Sequence, residues 1–169
     1  MAISSSEKYY GAAIFRLIRE LGESIPKGKF SLTSGSSNSA FILEGNTPKY
    51  LGKGKSASAG IFLKISNKRL SPWRYTFTRG HQDEIFKLKN KCGQVFLGFV
   101  CGDDGIACID FDELKFILDD HHEEQEWVSV SRRVDQHYRI KGNDGEFSNT
   151  ISKSNFPRKL IDYFAKELE

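Results

Sequence analysis

Apolar positions near the start of the chain recur at the spacing of an amphipathic helix. Residues 6–21 place apolar side chains on one face and arginine and glutamate side chains on the other. The apolar face carries Tyr10, Ile14, Leu17, Ile18 and Leu21. This pattern predicts a helix that ends at Gly22, because glycine commonly follows the last helical turn.

Short apolar segments separated by polar or glycine-rich stretches predict β-strands. They are FSLT (30–33), SAFILE (39–44), AGIFLKIS (59–66) and QVFLGFVC (94–101). The last two are apolar on both faces, which is typical of interior strands. Residues 79–91 between them have helical periodicity, which implies a crossover and therefore a mixed sheet. WRYTFT (73–78) alternates and predicts a short extended piece, and residues 45–58 predict a flexible basic loop.

The C-terminal third predicts shorter elements. GDDG is a hairpin turn between the apolar run 94–101 and a returning strand, IACID. Asp110 and Glu113 form a capping box for a helix that runs to about residue 118. Two alternating strands and an amphipathic helix follow: EWVSVSRR (126–133), QHYRIKG (136–142) and FPRKLIDYFAKEL (156–168).

The order of helix, three strands, helix and strand predicts an α/β fold, with helices packed on a mixed sheet. We expect a single domain over residues 1–169, because no segment is long enough to act as a linker. Its core spans about residues 6–110. Residues 111–169 are expected to form an appendage, a β-hairpin followed by a helix.

Charge along the chain is strongly segregated. Residues 45–82 contain eight lysines or arginines and no acid, whereas residues 103–126 contain ten acids and one lysine. A basic surface interleaved with aromatic residues favours a polyanion as partner, and we expect this to be nucleic acid, DNA in the first instance. The predicted contacts are Lys53, Lys55, Lys64, Lys68, Arg69, Trp73, Arg74 and Arg79. If exposed, Trp73 or Tyr75 is the expected stacking platform for an unpaired base.

A second basic group lies in the predicted C-terminal hairpin. It consists of Arg132, Arg133, Arg139 and Lys141. These residues either protect an edge strand from aggregation or extend the polyanion surface. Both interpretations stay open at the level of sequence, with a slight preference for edge protection.

The segments IFLKIS, YTFTRGHQDEIFKLKNKCG and QVFLGFVC carry a resemblance to a known group of enzymes. Their order resembles the core of the PD-(D/E)XK nuclease superfamily, and archaeal Holliday-junction resolvases within it, over residues 6–110. Lys64 matches the motif lysine, and Gln82 matches a glutamine at the start of the second helix. The resemblance implies a restriction-endonuclease-like fold, a divalent metal at the catalytic centre and, by analogy, a homodimer.

The acidic metal ligands of that family are missing at the matching positions. Phe62 stands where the acid of (D/E)-x-K is expected, and residues 38–40 offer no carboxylate for the first acid. Since hard divalent cations need carboxylate oxygens, the chain is expected to bind nucleic acid without the family's usual cleavage, and without a metal. A relocated centre is the alternative. It would use Glu44 with Lys64 and Gln82 as catalytic residues and Mg²⁺ as cofactor, with Glu7 or Glu20 as further acids.

A third hypothesis is a protein-interaction module that docks a basic partner through the acidic surface 103–126. Location is predicted from the cysteines and the N-terminus. Three cysteines and a start that lacks the layout of a secretion signal favour a cytoplasmic protein. No apolar run in the sequence approaches the length of a membrane span, so no membrane contact is expected.

Overall fold

The computed structural model describes residues 1–49 and 52–169, and within them the chain forms four helices and eight strands. In chain order these are α1 (Ser5–Ser24), β1 (Lys29–Ser34), β2 (Ala40–Asn46), β3 (Ser56–Ser66), β4 (Trp73–Thr78), α2 (Arg79–Lys91), β5 (Gln94–Cys101), β6 (Ile106–Asp110), α3 (Phe111–Leu114), β7 (Gln125–Ser131), β8 (Arg139–Gly142) and α4 (Asn155–Leu168). The predicted α/β class is confirmed.

The main sheet has five strands in the order β1-β2-β3-β5-β6. Strands β3 and β5 are parallel, and every other neighbouring pair is antiparallel, so the sheet is mixed as predicted. The crossover between β3 and β5 runs through β4 and α2. Because both faces of β3 and β5 are covered, the run Ala59–Leu63 and seven of the eight residues of β5 are buried.

A second sheet has three antiparallel strands in the order β4-β7-β8. The segment predicted as an extended piece at 73–78 is therefore a strand, and its partners come from the C-terminal third of the chain. Trp73 pairs with Val130, and Val130 pairs in turn with Ile140. This second sheet packs against one face of the main sheet.

The two faces of the main sheet bury separate hydrophobic clusters. On one face, α1 and α4 pack through residues such as Leu17 and Leu160. On the other face, α2 and the second sheet contribute residues such as Ile85, Phe77 and Val128. Residues 111–169, described above as an appendage, thus supply buried side chains to both clusters.

Several predicted boundaries differ from the observed ones. Helix α1 continues through Gly22 to Ser24, and Ile18, predicted on its buried face, is 42% exposed. Helix α3 has the predicted Asp110–Glu113 capping box but is a single turn, followed by turns to residue 117. The segment 45–58, predicted as a loop, begins and ends in strands, since β2 extends to Asn46 and β3 begins at Ser56. Residues 50 and 51 of that segment lie outside the described residues.

The three cysteines are free and buried. Burial raises the pKa of the Cys101 thiol to about 12, and it also raises the pKa of Cys92 and of Cys108. Cys101 belongs to the cluster between the two sheets, and Cys108 belongs to the cluster under α1 and α4.

None of the helices in the described parts of the chain has the length and apolar character that crossing a membrane requires.

Candidate nucleic-acid interface

The alternation of β4 separates an apolar face from a polar one. Trp73, Tyr75 and Phe77 point into the cluster between the sheets and are at most 3% exposed. Arg74 and Thr76 point the other way and are exposed. Successive side chains of a strand lie on opposite faces, so burial of the three aromatic side chains leaves Arg74 and Thr76 on the outward side.

Cross-strand pairing extends the polar face over the whole second sheet. Arg74 pairs with Ser129, which pairs in turn with Lys141. Thr76 pairs with Trp127, and Ser131 pairs with Arg139. Directly paired residues share a face. The outer face, as we name it, therefore comprises Arg74, Thr76, Trp127, Ser129, Ser131, Arg139 and Lys141.

The central contact of the outer face is a cation stacked on an aromatic ring. The guanidinium carbon of Arg74 lies 5.1 Å from the centre of the Trp127 ring. Trp127 is half-buried, and its backbone N–H donates a 2.9 Å hydrogen bond to Asn143 Oδ1. This geometry presents a positive charge and an indole ring side by side, a combination that suits both a phosphate and a base.

The electrostatics of the outer face are one-sided within the described residues. Arg74, Arg139 and Lys141 are exposed, whereas the acid of these strands, Glu126, is buried and points inward. Glu146 pairs with Lys141 at the outer edge and borders the face. The face is therefore basic across its centre, with one carboxylate at its rim.

The predicted stacking role of Trp73 or Tyr75 is wrong. The indole N–H of Trp73 donates a 2.8 Å hydrogen bond to the Lys68 carbonyl, and the hydroxyl of Tyr75 donates one of 2.8 Å to the Val100 carbonyl. Both rings are buried because they occupy the inward positions of β4. Trp127 is the aromatic residue that reaches the outer face.

Three predicted basic contacts surround the second sheet. Lys68 and Arg69 are exposed on the loop between β3 and β4, and the ammonium of Lys68 donates to the Pro72 carbonyl at 3.0 Å. This loop lies at the end of β4 from which Arg74 projects. Arg79 lies at the other end of β4, where its guanidinium donates to the His122 carbonyl at 3.3 Å.

Lys53 and Lys55 lie away from these residues. They precede β3, whereas Lys68 and Arg69 follow it. The ten residue steps between Ser56 and Ser66 correspond to about 33 Å. The basic segment 45–82 therefore does not form one continuous surface.

Lys64 points between the two sheets. Its ammonium lies 5.2 Å from the centre of the Phe77 ring, and burial lowers its pKa. Burial and then the Lys64 charge lower the pKa of neighbouring His81. Phe62, two residues before Lys64, is fully buried and packs against the rings of Phe77 and His81. This setting makes Lys64 a poor surface contact for phosphate.

The relocated catalytic set is not brought together. Glu44 is exposed and pairs with Ser58, six residues before Lys64 along β3, which corresponds to about 20 Å. Gln82 is buried and donates a hydrogen bond to Glu126 instead. Glu7 closes the capping box of α1, and Glu20 lies 3.7 Å from Arg19. Ala40, one of the three positions that match the first acid, pairs with Phe62.

Three carboxylates meet near Gln82. Asp119, Glu126 and Asp144 each bring one oxygen within 4.8 Å of the others. Asp144 accepts a 2.9 Å hydrogen bond from the Asp119 backbone, and Glu126 accepts one from Gln82. Backbone and amide donors thus offset part of the mutual repulsion.

The acidic segment 103–126 is spread over several local pairs. Asp104 binds Arg132 and Lys153, and Asp120 lies 2.6 Å from Lys115. Both Asp110 and Glu113 lie within 3.1 Å of the Lys159 ammonium. Four of the ten acids in this segment are thus paired with lysine or arginine side chains from different parts of the fold.

Comparisons of the chain with models of protein families, with curated proteins and with solved structures found no match. Function is therefore inferred from the geometry of the chain itself.

The sequence contains a pattern that indicates which residues share a face with Trp127, which was not among the predicted contacts. EWVSVSRR alternates, which places Trp127, Ser129 and Ser131 on one face of β7. Which face points outward depends on its pairing with β4, and this pairing joins residues more than 45 positions apart. Arg139 and Lys141 of β8 extend the basic face.

Proposed function

We propose that this protein binds single-stranded nucleic acid, DNA in the first instance, on the outer face of the second sheet. The observation that carries the proposal is the stacking of Arg74 on Trp127 in the middle of a face whose charged centre is basic. A base stacks on the indole ring while lysine and arginine side chains hold the flanking phosphates. Stacking of this kind tolerates any base, so binding is expected to be weakly dependent on sequence.

A nuclease-like ancestry without metal-dependent cleavage remains part of the proposal. The chain order of α1, the three strands β1–β3, α2 and β5, with β4 added before α2, resembles the order expected for the nuclease core and supports this ancestry. The buried Phe62 and the distance of about 20 Å between Glu44 and Lys64 support the lack of a usual metal centre. We place the protein in the cytoplasm, where three free thiols stay reduced. A homodimer is compatible with this proposal and is not required by it.

The test is a combined binding and cleavage assay. Labelled single-stranded, double-stranded and branched DNA and RNA are titrated with protein in Mg²⁺, in Mn²⁺ or in chelator, across a salt series. We expect the tightest binding for single strands, a fall in affinity with salt, and intact substrate in every metal. Metal-dependent cleavage that is lost in Glu44→Gln or Lys64→Met would contradict the proposal.

The variant that localises binding is Arg74→Ala/Lys141→Ala. For a single strand, log K falls as log salt rises, and each lost phosphate contact makes this fall shallower by about 0.7 in slope. The matched control is Lys8→Ala/Arg16→Ala, which removes two exposed cations from α1 on the opposite side of the main sheet. Equal loss of affinity in the control would mean that general charge, and not the outer face, determines binding.

A further inference from the structure

A concave pocket of about 440 Å³ opens at one end of the outer face. It lies where β7 ends and where β4 and β8 begin. Its lining consists of Ser71, Ser131, Arg132, Arg133, Gln136, His137 and Arg139. These described residues provide three guanidinium groups, an imidazole and two hydroxyls, and no carboxylate.

Arg132 is the scaffold of this pocket. It forms a bidentate ion pair with Asp104, with an Nε–Oδ2 distance of 2.9 Å and an Nη2–Oδ1 distance of 2.5 Å. Its Nη1 group donates to the carbonyls of Arg133 and Gln136, at 3.1 and 3.3 Å. Its own charge is balanced by Asp104, and its bonds fix the loop that carries the other basic side chains.

Arg133 and Arg139 supply the available charge. Both are exposed, and within the described residues neither belongs to an ion pair. His137 is exposed beside them, and the Ser71 hydroxyl accepts a 3.0 Å hydrogen bond from the Arg132 backbone while keeping its own proton free to donate. Arg133, Arg139 and the Ser71 hydroxyl are therefore available to donate hydrogen bonds to a ligand, while Arg132 holds the loop in place.

Two exposed apolar residues adjoin lining residues of the pocket in the sequence. Leu70 precedes Ser71 and is 69% exposed, and Val134 follows Arg133 and is 83% exposed. The hydrogen bond between the Arg132 backbone and Ser71 ties their two loops together. A charged cavity with exposed apolar residues next to its lining in the sequence suits a ligand with a phosphate joined to a flat organic group.

We propose that the pocket binds the terminal phosphate of a nucleic-acid strand, with the terminal nucleoside against Leu70 and Val134. A terminal phosphate monoester offers three oxygens and up to two charges to surrounding donors, whereas an internal diester offers two oxygens and one charge. Arg74 pairs with Ser129, two residues from Ser131, so the next part of the strand reaches Arg74 after about 7 Å and Trp127, four residues from Ser131, after about 13 Å. This inference rests on the proposed function and deepens it.

The test uses one single-stranded sequence with a 5′-phosphate, with a 3′-phosphate, or with hydroxyls at both ends. Fluorescence anisotropy gives the Kd of each. We expect one phosphorylated end to bind about tenfold more tightly than the hydroxyl form, the effect of one or two charge-assisted hydrogen bonds. The preferred end identifies the direction of the strand on the face.

Two variants and one competitor locate the effect. Arg133→Ala and Arg139→Ala are expected to abolish the preference for the phosphorylated end while the hydroxyl form loses much less affinity. Arg16→Ala keeps the preference. Excess inorganic phosphate is expected to weaken binding of the phosphorylated strand selectively. Circular dichroism confirms that the variants, which change exposed side chains, remain folded.

The outcomes separate this inference from the function on which it rests. Salt-sensitive binding with equal Kd for phosphorylated and hydroxyl ends would overturn the pocket and leave the outer face intact. A preference that survives in both Arg133→Ala and Arg139→Ala would also overturn it. Lack of binding by every strand would overturn the proposed function as well.

Discussion

Arg74 and Trp127 belong to different strands, 53 positions apart, and meet with the guanidinium carbon 5.1 Å from the ring centre. The contact is made by the antiparallel pairing of β4 and β7, which pairs Trp127 with Thr76, two residues after Arg74 on the same face. A cation over an indole at an exposed site contributes about 0.5–1 kcal/mol. Both side chains are thus held in place before any ligand arrives.

Replacement of Trp127 by alanine is expected to weaken binding of single strands about tenfold, because base stacking on an aromatic side chain contributes about 1–3 kcal/mol. Anisotropy titrations measure the change. Trp73→Phe provides the control, since Trp73 is buried and the protein has two tryptophans. In that variant the emission comes from Trp127 and is expected to be quenched by nucleic acid. Saturated binding with unchanged emission would contradict the stacking role.

The double variant Lys68→Ala/Arg69→Ala is expected to weaken binding of all sequences alike and to flatten the salt dependence. These side chains contact phosphates at the end of β4 and do not read bases. Lys53→Ala/Lys55→Ala removes the same charge at the far end of β3 and is the matched control. If the two double variants behave identically, the loop between β3 and β4 has no special role.

Lys64→Met is expected to raise the free energy of unfolding at neutral pH by about 1 kcal/mol, because a partly buried ammonium is exchanged for an apolar side chain. Burial lowers the pKa of Lys64, so the unfolded chain binds this proton more tightly than the folded one. In the wild-type protein, burial of the charged Lys64 therefore destabilises the fold most at low pH. This destabilisation disappears as pH rises from the lowered pKa through the ordinary value of 10.5. Urea unfolding at several pH values measures it.

The same variant also tests the predicted phosphate contact of Lys64. Because the side chain points between the sheets, affinity for nucleic acid is expected to stay unchanged. A clear loss of affinity in a folded, stabilised Lys64→Met protein would show that the lysine reaches the ligand after all.

Asp104→Asn is expected to destabilise the fold by about 2 kcal/mol, since Arg132 would lose its charged partner. The hydrogen bonds from Arg132, together with Tyr138 and Lys153, hold the pKa of Asp104 at about 2 against an ordinary 3.8. The stabilisation is present above pH 3.8 and is lost as pH falls through about 2. Acid unfolding curves measure this loss of stability. If Asp104→Asn kept the wild-type pH dependence between about pH 2 and 3.8, the Asp104–Arg132 pair would not be the cause.

Local patterns predicted most of the elements. The helical spacing of residues 6–21 and the apolar runs of β3 and β5 depend on neighbours within a few positions, so they are legible in the sequence. The C-terminal strands were also predicted. Their role was not, because nothing local to β7 shows that it pairs with β4 as well as with β8.

The candidate site was predicted only in part, for the same reason. The alternation of WRYTFT shows that Arg74 lies opposite Trp73 and Tyr75, but not which side faces the core. The second sheet decides this, since it buries the aromatic side and leaves Arg74 beside Trp127. The setting of Lys64 could not be predicted for a related reason, because β4 and α2 close the inner sheet face around Phe62.

The three buried cysteines give this protein internal reporters of its own opening. Alkylating reagents react with thiolates, and burial with raised pKa values keeps these thiols inert while the layers stay packed. Cys101 becomes reactive when the two sheets separate, and Cys108 when the helices leave the main sheet. The order in which the two sulfur atoms are labelled therefore records which layer loosens first, and whether a bound strand slows that step for one layer alone.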